Sequence, residues 1–149
     1  MLYRFFKKNR QFALFFLALL ALGCTEDYTC PIPNIDRFTF NVIMPIHELE
    51  TAKTQGNGGY KKHGIIVYRF LDADGDVHAF DATCANSAEC VENGVVVFDG
   101  VGTVTATCRR CRSQYYLRDG KHLQKKVMLR PYIVQHIANT MEQYRVSNY

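Results

Sequence analysis

No stretch of this 149-residue chain is apolar for long enough to cross a bilayer. Its longest apolar run, Phe12 to Leu22, is about half of the roughly 20 residues a spanning helix needs. Acids are missing from the first 23 residues, and once those are set aside the charge surplus is missing too. The chain has 18 basic residues, four of them within the first ten, against 14 acids that all lie after residue 23. The remainder therefore carries as many positive as negative side chains, and nothing in it points to a nucleic-acid partner. Catalytic signatures are also lacking: there is no serine–histidine–acid grouping, no pair of catalytic carboxylates and no phosphate loop. The five histidines (His47, His63, His78, His122, His136) are scattered without ligand spacing and read as surface or strand residues. "DADGD" (72–76) has alternating acids like the start of a calcium loop. Such a loop needs glycine sixth and glutamate twelfth, where this chain has Val77 and Thr83. A hairpin turn is the reading that remains.

What is present at the N-terminus is a basic start, "MLYRFFKKNR", an apolar core and then Gly23 and Cys24, the layout of an export signal. "ALGCTED" resembles a bacterial lipobox, in which the cysteine after the cleavage point is lipidated, and Cys24 matches that cysteine. The resemblance implies a lipid anchor at Cys24, a cell-envelope location and, with Thr25 following, the outer membrane. The membrane is then the partner through the lipid, and no protein partner is identified. The expected organisation is a signal over 1–23, a tether over 24–35 with Cys30 in it, and one domain over 36–149, large enough to bury a core.

That domain reads as all-β. Stretches rich in Val, Ile, Thr, Phe and Tyr at 37–44, 63–70, 77–80, 94–98, 103–107, 114–117, 131–137 and 142–148 are separated by turn clusters such as "GNGG", "FDGVG" and "RDG". Short, regular spacing of this kind predicts an antiparallel sandwich or small barrel. Ile66, Tyr68 and Phe70 alternate with Ile65, Val67 and Arg69, as in half-buried strands. "IHELETAKT" (46–54) is the one candidate for a helical turn.

Chemistry concentrates in two cysteine groups, Cys84 and Cys90 in "FDATCANSAECVENG" and Cys108 and Cys111 in "TATCRRCRSQYYL". Each follows a β-like run, so two loops at one end of the domain would bring four sulfurs together. Exported chains meet an oxidising compartment, which allows disulfides, and bridges between the groups are more natural than within them because a C-x-x-C bridge closes a tight ring. Four thiolates also suit zinc or a [2Fe–2S] cluster. A redox-active C-x-x-C is a further reading, with Arg109 and Arg110 favouring a thiolate. Cys30 leaves the count odd.

From about Phe38 onward the chain resembles Rieske-type domains, most closely degenerate Rieske-like lipoproteins of the Bacteroidota. Cys84 takes the first cysteine of box one, and Cys108, Ser113 and Tyr115 take positions of box two. The resemblance implies a Rieske-like β-fold whose two boxes would form loops around an iron–sulfur centre. A Rieske centre has two cysteines on one iron and two histidines on the other. This chain has Asn86 and Cys111 at the histidine positions, and "DGKHLQKKVMLRPYIV" lacks the Gly-Pro stretch that covers the cluster. The expectation is a non-enzymatic module in which the four cysteines hold two loops by disulfide or zinc, with electron transfer through a [2Fe–2S] centre as the alternative.

Overall fold

β-branched and aromatic residues at alternate positions set the strands, and glycine-rich turns end them. In the computed structural model, which describes residues 27–44, 52–56, 58–70 and 76–149, nine strands are present. They are β1 (Thr39–Ile43), β2 (Ala52–Gln55), β3 (Ile65–Arg69), β4 (Val77–Asp81), β5 (Val96–Phe98), β6 (Thr105–Cys108), β7 (Gln114–Tyr116), β8 (Pro131–His136) and β9 (Gln143–Ser147). A short helix, α1 (Ala88–Asn93), precedes β5. The signal, Cys24, most of the 46–54 stretch and residues 72–75 of the acidic turn lie outside the described residues. Where 46–54 is described, it forms the start of β2 rather than a helical turn, because Ala52–Gln55 pairs along the edge of β3.

The six strands β1-β9-β8-β4-β3-β2 form one antiparallel sheet and β5-β6-β7 a second. The architecture is all-β with antiparallel sheets, as the strand punctuation predicts. Both sheets contribute to one core. Ile66, Tyr68 and Phe80 from the larger meet Val96, Ala106 and Tyr115 from the smaller.

The alternation in β3 has a different meaning from the one expected. All five of its residues are buried. Ile66 and Tyr68 enter the shared core, while Ile65 and Val67 pack on the other face with Ala79, Tyr132 and Val146. The strand is covered on both sides, so the alternation divides two cores instead of separating core from water. Arg69 is tolerated at its end because its guanidinium donates to the carbonyl of Met44 at 2.6 Å.

Residues 27–35, the described part of the expected tether, are docked on the domain. Thr29 pairs with Val127 in a parallel bridge. Ile32 is 1% exposed in the shared core, a burial that contributes about 1.5–3 kcal/mol. Arg130 clamps the segment by donating from Nε to the Ile32 carbonyl at 2.9 Å. Pro31 and Pro33 keep the backbone around Ile32 extended and remove two donors that would otherwise need partners.

Candidate metal centre

The first cysteine loop leaves β4 at Asp81 and leads into α1. Ser87 caps that helix by accepting from the backbone N–H of Cys90 at 3.2 Å, which fixes Cys90 in the first turn. The Cys84 N–H donates to the Gly94 carbonyl at 2.9 Å, so the loop closes on itself across the helix. The second loop is the turn between β6 and β7. There the Cys108 N–H donates to Ser113 at 2.8 Å and the Arg112 N–H donates back to Cys108 at 3.0 Å. Arg112 takes the left-handed conformation, φ 62°, that so tight a turn demands. Register Val96↔Cys108 in the β5–β6 pair brings the two loops together.

As a result, the Sγ atoms of Cys84, Cys90, Cys108 and Cys111 all lie within 4.8 Å of one another. The first three are buried and Cys111 is half-buried. Cys84 and Cys111 stand 3.6 Å apart, beyond the ~2.05 Å of a sulfur–sulfur bond. Cys30 is half-buried beside Ile32, its sulfur 4.0 Å from that carbonyl, and is not one of the four.

Polar groups contact the sulfurs from both loops. The Tyr115 hydroxyl lies 3.3 Å from Cys84 Sγ and accepts from the Ala85 N–H at 3.0 Å. Ser113 Oγ is 3.1 Å from Cys111 Sγ, and Asn86 Nδ2 donates to the same sulfur at 3.6 Å. Burial raises the Cys84 and Cys90 thiols and the Tyr115 phenol above their usual values. Burial also opposes ionisation of Cys111. There the hydrogen bonds from the Ser113 side chain and backbone, and from the Cys90 and Cys84 thiols, prevail and lower it to about 6.

Asn86 and Cys111, the two positions that the sequence resemblance sets at the histidines of a Rieske centre, are adjacent, since Asn86 touches Cys111. They supply an amide and a thiol, so the donor set is four sulfurs. Among the described residues, no imidazole nitrogen joins it. The described histidines lie elsewhere: His78 and His136 in β4 and β8, and His63 hydrogen-bonded to Thr83 at 3.0 Å. His122 is buried next to Tyr115, where its Nδ1 accepts from the Gln124 and Lys125 N–H groups. Burial, with Lys125 nearby, lowers its pKa. His122, Cys111, Asn86, Arg112 and Lys125 line a cavity of about 240 Å³ beside the sulfurs.

Sequence reasoning did not single out Gly94. Its backbone is in an ordinary extended conformation, but a Cβ there would lie 2.7 Å from the Cys90 carbonyl, 3.0 Å from Cys84 Cβ and 3.2 Å from Cys108 Sγ. Only a hydrogen fits between the two loops. Gly94→Ala is expected to cost about 1–3 kcal/mol through overpacking, read as a lower denaturation midpoint. Unchanged stability would show that the loops have more room than these distances allow.

No family model matches the chain, and no curated protein does. Solved structures resemble it, two of which follow. One, assigned as the small subunit of an NADH-dependent nitrite reductase from Mycobacterium tuberculosis, is 20% identical with a TM-score of 0.43, over 77% of this chain and 98% of that one. The other, assigned as the small subunit of a nitrite reductase NADPH oxidoreductase, is 16% identical with a TM-score of 0.38, over 72% of this chain and 97% of that one.

Proposed function

We propose that this is a lipid-anchored envelope module in which Cys84, Cys90, Cys108 and Cys111 bind one zinc ion that ties two loops of a degenerate Rieske-like domain, with no catalytic role. The observation that carries the reading is the mutual closeness of the four sulfurs, within 4.8 Å. A tetrahedral ion with metal–sulfur bonds of about 2.3 Å sets its ligands roughly 3.8 Å apart, so small side-chain rotations bring all four into place. A two-iron cluster places its two thiolate pairs on separate metals and spreads them further. Four-coordinate sites made only of cysteine are closed, and closed sites are structural. The domain would supply the stiffness of the site, since Cys84, Ala85, Cys90 and Cys108 belong to its main core, and the zinc would tie the two loops to each other.

Electron transfer through a four-thiolate [2Fe–2S] centre is the second reading. It is favoured by the hydroxyls of Tyr115 and Ser113 beside the sulfurs of Cys84 and Cys111, since hydrogen bonds to ligand sulfurs tune the potential of such clusters. Anchoring rests on the Phe12–Leu22 core and the Gly23–Cys24 step.

Protein extracted from membranes decides among these readings. The expected result is about one zinc and no acid-labile sulfide per chain, with a mature N-terminus at Cys24 carrying lipid by mass. Iron and sulfide near two per chain, with visible absorption, would replace zinc by the cluster. An unmodified N-terminus at another residue would remove the anchor.

A further inference from the structure

Cys111 differs from its three companions in one respect. It is half-buried and lines the adjoining cavity, whereas Cys84, Cys90 and Cys108 are enclosed. An oxidant arriving through solvent therefore meets Cys111 first. Its in-loop companion Cys108 is three residues away, where a bridge would close a tight ring. On the other loop Cys90 lies within 4.8 Å of it and Cys84 at 3.6 Å, a separation close enough for a bond after a small rotation. The cavity between Cys111 and the solvent holds Arg112 and Lys125 and no carboxylate, so a departing hydroxide would be stabilised there. Asn86 and Ser113 already contact the Cys111 sulfur and can hold it in position.

We propose that the centre is a peroxide-responsive modification site: Cys111 is oxidised first, a Cys84–Cys111 disulfide forms, and the metal is released. The inference rests on the four-cysteine zinc reading. In the first step the Cys111 sulfur attacks one oxygen of hydrogen peroxide; an S–O bond forms, the O–O bond breaks, and the leaving hydroxide takes a proton to become water. In the second the Cys84 sulfur attacks the sulfenic sulfur; the S–S bond forms, the S–O bond breaks, and a second water leaves. Two electrons pass from the two thiolates to the peroxide. Zinc, left with two ligands, dissociates.

The test treats the purified, zinc-containing protein with hydrogen peroxide in the presence of a chromogenic zinc chelator, followed by peptide mapping without reductant. Release of the bound zinc together with a Cys84–Cys111 peptide is the expected result. Arg112→Gln, at an exposed position that is not a ligand, should start with the same zinc content and release it roughly fivefold more slowly. Cys30→Ser should release it at the parental rate. Zinc retained with all thiols intact, a bridge joining a different pair, or an unchanged rate in Arg112→Gln would overturn the proposal. Protein that contains no zinc before oxidation would instead overturn the metal reading, and the peptide map would still decide the pairing.

Discussion

On the zinc reading, Cys108→Ser is expected to deprive the domain of the ion and lower its melting temperature by about 10–20 °C. Cys108 is fully buried at the end of β6, and its replacement leaves three sulfurs and a hydroxyl that zinc binds poorly at neutral pH. Structural zinc contributes about 10–16 kcal/mol in small peptides that have little else to fold around. This domain has two apolar cores besides the cysteine site to fold around. Only the share that orders the two loops is lost, about 3–4 kcal/mol, and a domain of this size shifts by roughly 3–5 °C per kcal/mol. Chelator-treated parent protein should melt at the temperature of the variant, and chelator should not shift the variant further. Cys30→Ser, outside the cluster, should keep both the zinc and the melting temperature. A Cys108→Ser protein that retains a full equivalent of zinc and melts with the parent would rule out the four-sulfur site.

Eight of the nine strands were readable because their residues announce themselves: "RFTFNVIM" or "GVVVF" has few conformations other than extended in which so much branched and aromatic side chain can pack. β2 was not. "AKTQ" has no apolar alternation, and its strand character comes from the exposed edge of β3, to which it pairs. The helix α1 was missed for the opposite reason. Its signal, Ser87 followed by Ala88 and Glu89, is a legible cap, but six residues are too few to show a period. For β3 the strand was legible and its two-sided burial was misread: Ile65–Tyr68 is a continuous apolar run, the pattern of a strand covered on both faces, and Arg69 alone gives it the look of alternation.

The convergence of the four cysteines was legible from topology: two groups, each at the end of a β-run and linked by a hairpin, have few ways to stay apart. What surrounds them was not. That Gly94 is needed for its lack of a side chain, or that Arg130 ties residues 27–35 to the domain, depends on contacts between residues distant in sequence. The same is true of Asp81, which sits in "HAFDATC" three residues before Cys84 and carries no mark of its importance.

Asp81 is completely buried. Its Oδ2 accepts from the Tyr60 N–H and from the Tyr132 hydroxyl, both at 2.6 Å, and its Oδ1 accepts from the Thr83 N–H at 2.8 Å. One carboxylate thus joins three chain segments: the 58–64 turn, strand β8 and the entrance to the first cysteine loop. The turn is built for it. Gly59 has φ 76°, and a Cβ there would lie 2.3 Å from the Gly64 carbonyl and 3.0 Å from Asp81 Oδ2. Asp81→Ala would leave two backbone N–H groups and a phenol without acceptors, each costing about 1–3 kcal/mol when buried. The losses overlap because one cavity serves all three, so a total of about 3–5 kcal/mol is expected in chemical denaturation. Asp81→Asn keeps the shape and one acceptor but turns an amide donor toward other donors, and should fall between. Tyr132→Phe deletes a single donor while the carboxylate keeps its two backbone partners, and should cost only about 1 kcal/mol. The order of the three variants is the discriminating measurement. A loss in Asp81→Ala no larger than that in Tyr132→Phe would mean that the carboxylate does not hold the three segments together. If the order holds, the base of the Cys84 loop is set by a polar anchor that forms with or without the ion, and Cys84 meets the ion from a position already fixed.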